Sequence, residues 1–213
     1  MDKRLLFVIS KIFCSFVENS SVPLEELKKT IRSYAHVSDS DMEFGMKFYK
    51  RKTFKKGDFL LKPGQYIEYF YFMKKGCVSY YSMEEGKAQV MEFFTEGSFF
   101  TDLYAYIQEI PSESYIEALE DITVYAISKT DVQKVFDHSH QLERFGRLSM
   151  QRTFVITFQR INQLRNLSNQ ERYLELQKKR PELFQRVPQY LIASYLGLTP
   201  VGLSKIRKRL SKS

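Results

Sequence analysis

The chain has 213 residues, 43% hydrophobic and 27% charged, enough apolar content for a buried core and too much for a disordered polypeptide. Its net charge is +8 with a pI near 9.3, which favours a polyanionic partner. Cys14 and Cys77 stand in no CxxC or metal-ligand spacing; they offer no disulfide framework and suit a reducing cytoplasm, the expected location.

Taken in order, Lys3 and Arg4 precede an apolar run, but Lys11 interrupts it and no small-residue cleavage site follows, which argues against a signal peptide. Leu5, Ile9, Ile12, Phe13 and Phe16 fall at helical spacing and predict an amphipathic helix instead. No uninterrupted apolar segment is long enough to span a bilayer, so no membrane partner is expected. Pro23 opens a second helix through Tyr34, and Ser38 or Asp39 caps a third. From about Phe48 to Ile127, short runs rich in Phe, Tyr and Val alternate with Gly57, Gly64, Gly76, Gly86 and Gly97. That punctuation predicts a small antiparallel barrel or sandwich, with 84–87 as a hairpin turn.

Ser128 is the next N-cap, and helical spacing returns. It persists through 142–167, where Phe145, Leu148, Val155, Phe158, Ile161 and Leu164 form a broad apolar face. Phe154 and Ile156 compete, so the pattern fixes no single heptad register. Lying between barrel and C-terminal hairpin, this segment is expected to be a dimer helix, with Leu148, Val155, Phe158 and Ile161 at the contact.

Residues 187–211 carry the most specific signal. Leu191, Ile192, Tyr195 and Leu196 give one short one-sided helix, and Gly197 ends it. Thr199 and Pro200 start another as N-cap and first helical residue, with Leu203, Ile206 and Leu210 inside. Ala193 supplies the small side chain that two closely crossing helices require. Ala193, Gly197 and Leu203 at this spacing match a helix-turn-helix, whose second helix enters the DNA major groove. Val201, Gly202, Ser204, Lys205 and Lys208 are the groove-facing candidates; Thr199 sets the helix start, and Arg207 and Arg209 are assigned to phosphates. Charge is uneven: 178–213 holds nine Lys or Arg against one acid, and 84–121 holds ten acids against one base. This asymmetry reads as two modules with different jobs.

The fragments Phe54-Lys-Lys-Gly-Asp-Phe-Leu60, Pro63-Gly64, Tyr71-Phe-Met-Lys-Lys-Gly-Cys-Val78 and Phe94-Thr-Glu-Gly-Ser-Phe-Phe100, followed by a long helix and a terminal helix-turn-helix, resemble the cyclic-AMP receptor / fumarate-nitrate regulator (CRP/FNR) family of bacterial transcription factors over about 24–211. The resemblance implies an α+β chain: a double-stranded β-barrel sensor of the cyclic-nucleotide-binding jelly-roll type (1–140 with its helical lead-in), a dimerisation helix (141–167) and a winged helix-turn-helix (168–213). With Ser213 so soon after the second helix, a wing hairpin is expected before the helix-turn-helix. The implied partners are double-stranded DNA, a second copy of the chain and RNA polymerase.

The resemblance also implies an effector pocket, placed here at Gly97, Thr101, Asp102, Leu103, Ser112, Glu113 and Ser114. Nucleotide-binding members carry an arginine for the phosphate where this chain has Ser112, with Glu113 following. Losing such a charge-assisted contact costs about 1.5–3 kcal/mol, so cyclic AMP is not expected and the effector stays unassigned. Tyr104, Tyr106 and Tyr115 are read as core and rim residues, or as the wall of a pocket for an uncharged effector. Two distant cysteines do not make an iron–sulfur site, and His138-x-His140 reads as a solvated pair. No catalytic motif is present, and 50–127 holds no histidine for a cupin-type metal site; the chain is not expected to be an enzyme. Two rivals stand: a cyclic-nucleotide-responsive regulator with unusual phosphate contacts, and a barrel interaction module whose basic tail binds RNA or another acidic partner.

Overall fold

A computed structural model describes residues 24–211; the expected helix through Phe16, Cys14 and the helix-opening Pro23 lie outside the described residues. Two helices lead in, α1 (Glu25–Tyr34) and α2 (Asp39–Met46). Ser38 is the N-cap of α2, its hydroxyl accepting from Asp41 N–H at 3.2 Å.

Eight strands follow: β1 (Lys50–Phe54), β2 (Phe59–Leu61), β3 (Tyr69–Lys75), β4 (Val78–Glu84), β5 (Lys87–Phe94), β6 (Phe99–Phe100), β7 (Tyr115–Ala118) and β8 (Ile122–Ser128), with the short α3 (Leu103–Gln108) between β6 and β7. They form two antiparallel four-stranded sheets, β1-β8-β3-β6 and β2-β7-β4-β5, which is the jelly roll read from the sequence. The β4–β5 turn pairs Glu84 with Lys87 and puts Glu85 (φ 48°) and Gly86 (φ 75°) in the left-handed region. Both central residues of a two-residue type I′ turn need that geometry.

Ser128 caps α4 (Lys129–His138), and α5 (His140–Asn166) is the long helix. Four short helices complete the chain: α6 (Asn169–Lys179), α7 (Leu183–Arg186), α8 (Gln189–Tyr195) and α9 (Pro200–Leu210). No strand follows β8 among the described residues, so the wing hairpin expected before the helix-turn-helix is replaced by α6 and α7. The physical reason is local. Ser168 and Glu171 form a reciprocal capping box, and Glu175 pairs with Lys179 one turn on, both helix-stabilising devices.

Three apolar clusters stack through the molecule. Leu61, Met73, Val78, Ile116 and Val124 fill the space between the sheets. Leu27, Ile31, Met42, Phe72, Tyr125 and Leu142 join the β1-β8-β3-β6 sheet to α1, α2, α4 and the start of α5. On the other side, Cys77, Tyr81, Val90, Phe93 and Leu119 join the second sheet to Tyr173, Leu183, Ile192, Tyr195 and Leu203 of α6–α9.

Candidate nucleic-acid interface and sensor pocket

The α8–α9 pair is built as its sequence requires. Leu198 N–H donates to Ala193 O (2.8 Å) and Gly197 N–H to Ser194 O (2.9 Å), a Schellman closure that needs Gly197 at its φ of 67°. Ala193 is wholly buried at the crossing. Thr199 accepts from Gly202 N–H at 3.1 Å and Pro200 occupies the first turn. Leu203 and Ile206 point inward. At roughly 100° per residue, Val201, Ser204, Lys205 and Lys208 then share the opposite face, all exposed, and Arg207 and Arg209 flank it. Gly202 is half-buried and lies off that face.

Along α5 the broad apolar face divides in two. Leu142 and Phe145 are buried against the chain's own core, and Leu148 packs half-buried beside them. Past the barrel, Phe154, Phe158 and Ile161 are 70%, 55% and 46% exposed. They fall within about 60° of one another, opposite Phe145, and the Phe154 and Phe158 rings stack at 6.3 Å. Arg147, Gln151 and Arg165 extend the same alternating three- and four-residue spacing. Val155 is exposed too but lies about 100° round from Phe154. Phe158 and Ile161 thus stand together on the uncovered stripe with Phe154, while Leu148 and Val155 do not.

The helix-turn-helix is anchored on the edge strand β5 by residues that sequence reasoning missed. Ser194 Oγ donates to Ala88 O (2.6 Å) and accepts from Val90 N–H (2.9 Å). Arg180 donates to Glu92 (2.7 Å) and to Phe93 O (2.8 Å). Arg186 bridges Glu96 (2.8 and 2.9 Å) and Glu120 (3.2 Å). Burial alone would raise the Glu96 carboxyl, but hydrogen bonds from Arg186 and from Gly76 N–H bring it down to about 2. Arg172 donates to Leu196 O (3.0 Å) and Leu167 O (2.8 Å), tying the end of α8 to the end of α5. The Arg160 guanidinium lies 3.7 Å over the Tyr195 ring. The one available signal was the pairing of a basic end with an acidic middle.

At the barrel mouth, Asp102, Ser112 and Ser114 come together, all buried. Asp102 caps α3 by accepting from Ala105 N–H (3.1 Å), and its other oxygen accepts from Ser112 Oγ (2.7 Å). Ser112 Oγ in turn accepts from Ser114 N–H (3.0 Å). The phenol of Tyr80 adjoins this cluster, raised by burial first and by the Asp102 charge second. Glu113 is exposed and Leu103 half-buried. Thr101 donates to Tyr69 O (3.1 Å), whereas Gly97 N–H meets Met73 O (2.9 Å) four residues further along β3, so Gly97 is not part of this cluster. Tyr104 is exposed at the rim, while Tyr106 packs edge-on against Phe70 and Tyr115 stacks on Tyr81. His138 stacks on Phe44 at 3.6 Å, and among the described residues no cluster of three or more His, Cys, Asp or Glu is placed to hold a metal.

Residues 51–139 match the family model of the cyclic nucleotide-binding domain. The cAMP-dependent protein kinase regulatory subunit of Candida albicans is 25% identical over 117 residues, 55% of this chain and 25% of that protein's length. Among solved structures, the c-di-GMP-responsive global regulator CLP of Xanthomonas campestris aligns at 19% identity and a TM-score of 0.64 over 82% of this chain and 92% of that one. FixK2 from Bradyrhizobium japonicum aligns at 20% and 0.64 over 77% and 85%. The Thermus thermophilus catabolite activator protein aligns at 13% and 0.53 over 86% and 87%. At such identities the likeness is one of fold.

A cyclic nucleotide, the ligand that this domain family implies, does not fit the residues present. The barrel-mouth cluster offers no cation to a phosphate, and its carboxylate is engaged on both oxygens. Beside it, Tyr71 stacks on Phe100 (5.3 Å), Phe100 on Phe94 (5.2 Å), and Phe94 adjoins Tyr80 (6.5 Å), an aromatic column that occupies the space between the sheets. Residues 51–139 thus match the cyclic nucleotide-binding domain, and the described chain shares its overall fold with these solved structures.

Proposed function

We propose that this protein is a homodimeric, sequence-specific DNA-binding transcription regulator whose barrel does not respond to cyclic nucleotides. The observation that carries the reading is α9. Its Val201, Ser204, Lys205 and Lys208 form one exposed face on a helix whose other side is fixed by Leu203, Ile206 and the Thr199 cap. The uncovered Phe154, Phe158 and Ile161 stripe supports a second copy as partner, since two readers on one dimer engage two half-sites. No helix among the described residues is long and apolar enough to cross a membrane. A chromosomal partner implies the cytoplasm as location and RNA polymerase as the neighbour at a promoter. One solved structure of like fold, CLP, is a global regulator, in keeping with a regulatory role.

Selection of bound duplexes from a random pool tests this reading. The expected product is a symmetric site with half-sites about 10 bp apart, centre to centre, bound more tightly than single-stranded DNA or RNA at the same salt. A pool that enriches no sequence, or single strands that compete equally, refutes it.

A further inference from the structure

We propose that the protein holds a small neutral aromatic molecule, one ring or two fused rings with a single polar atom, in an apolar cavity at the rim of the barrel, between the β3–β6 edge and helices α2, α4 and α5. The cavity measures about 140 Å3, and its wall includes Tyr49, Phe70, Phe99, Phe136, Phe145 and Met150. No charged residue lines it, and Asp102, Ser112 and Ser114 of the barrel mouth are not part of its wall.

Three observations specify the occupant. Apolar cavities of about 150 Å3 stay dry and accept benzene, so the volume suits a small ring and not a nucleotide. With no cation or anion at the wall, a charged ligand would be buried unpaired at a cost of several kcal/mol, which restricts the class to neutral molecules. Of the wall's polar groups, Thr101 already donates to Tyr69 O and Thr153 to Ser149 O. The hydroxyls of Tyr49, Tyr71, Tyr106 and Ser149 have no hydrogen-bond partner among the described residues, and burial pushes the Tyr49 phenol well above the ordinary range. A ring carrying one N–H or O–H supplies Tyr49 with a partner, and the aromatic side chains named supply faces and edges for it to pack on. Tyr71, Phe94 and Phe100 of the stacked column between the sheets also reach the wall, as do Thr101 and Leu103 beside the barrel mouth.

The test uses the full chain, with benzene, phenol and indole as probes and thermal melts plus calorimetry as readouts. All three are expected to raise the melting temperature. Tyr49→Phe should weaken phenol and indole about two- to tenfold, the worth of one hydrogen bond, and leave benzene unchanged. Ser149 lines the cavity from α5; Ser149→Leu fills it and should abolish binding of all three while melting no lower than the parent without ligand. Probes that bind Ser149→Leu as well as the parent, or no shift at saturating aqueous concentration, overturn the proposal. So does equal weakening of benzene and indole by Tyr49→Phe. None of these readouts involves DNA, so their failure leaves the DNA reading untouched.

Discussion

Lys205 and Arg207 are two residues apart on α9, and the helix period gives them different work. Lys205 stands on the face opposite Leu203 and Ile206, within reach of guanine edges if that face enters the groove. Arg207 stands at the flank, where on the proposed reading a guanidinium would meet phosphate. Lys205→Ala is therefore expected to lower preference for the operator over a scrambled duplex by about 1–3 kcal/mol, and Arg207→Ala to weaken both alike. An unchanged operator-to-scramble ratio for Lys205→Ala would mean that another face of α9 reads the bases. The Thr199 and Ser128 caps were legible beforehand because a cap is decided within three residues of itself. Arg172 and Arg186 were not, because their partners are carbonyls and carboxylates far along the chain. Arg186 also sets a pH dependence. The Glu96 carboxyl is depressed to about 2, so its contribution to stability is present above its unfolded value, near 4.3, and is lost as pH falls towards 2. Urea melts of Glu96→Gln should show a flatter stability loss across that window than the parent; identical slopes would show that Glu96 is not the titrating group.

Helix α5 shows what a pattern leaves open and what packing closes. Six apolar positions spread over more than half its circumference, so periodicity alone could not choose a seam. The barrel chooses it by burying Leu142 and Phe145, and Phe154, Phe158 and Ile161 remain outward. Covering each of those side chains against a second helix contributes roughly 1.5–3 kcal/mol, and a charge in their midst reverses that gain. Phe158→Glu is expected to sediment as a monomer and to lose operator affinity, whereas Val155→Glu, about 100° round from Phe154 and about 120° from Ile161, should remain dimeric. A dimeric Phe158→Glu sinks the assignment. The segment before the helix-turn-helix teaches the complementary lesson: the family resemblance suggested a hairpin there, but the Ser168–Glu171 box is a helix signal that could have been read from those residues.

At the scale of the whole molecule, the basic end and the acidic middle pack against each other. Glu92, Glu96 and Glu120 of the barrel meet Arg180 and Arg186 of the reader, and the apolar cluster beneath them draws on both. The sequence displayed this as opposite charge blocks, but contacts between residues some 90 positions apart leave no periodicity to read. A shared core has a thermodynamic consequence. Tyr195, Ile192 and Leu203 lose their apolar surroundings if the barrel opens, and Phe93 and Val90 lose theirs if the reader lifts away, so the two should unfold as one cooperative unit. Arg186→Ala leaves two carboxylates facing each other at this seam without their cation. It should lower stability by about 1–3 kcal/mol and move one transition rather than split it. Calorimetry decides the matter: a single endotherm shifted to lower temperature is expected. Two resolved endotherms in the parent, with only the earlier one sensitive to Arg186→Ala, would show that the reader is a separate folding unit merely resting on the barrel.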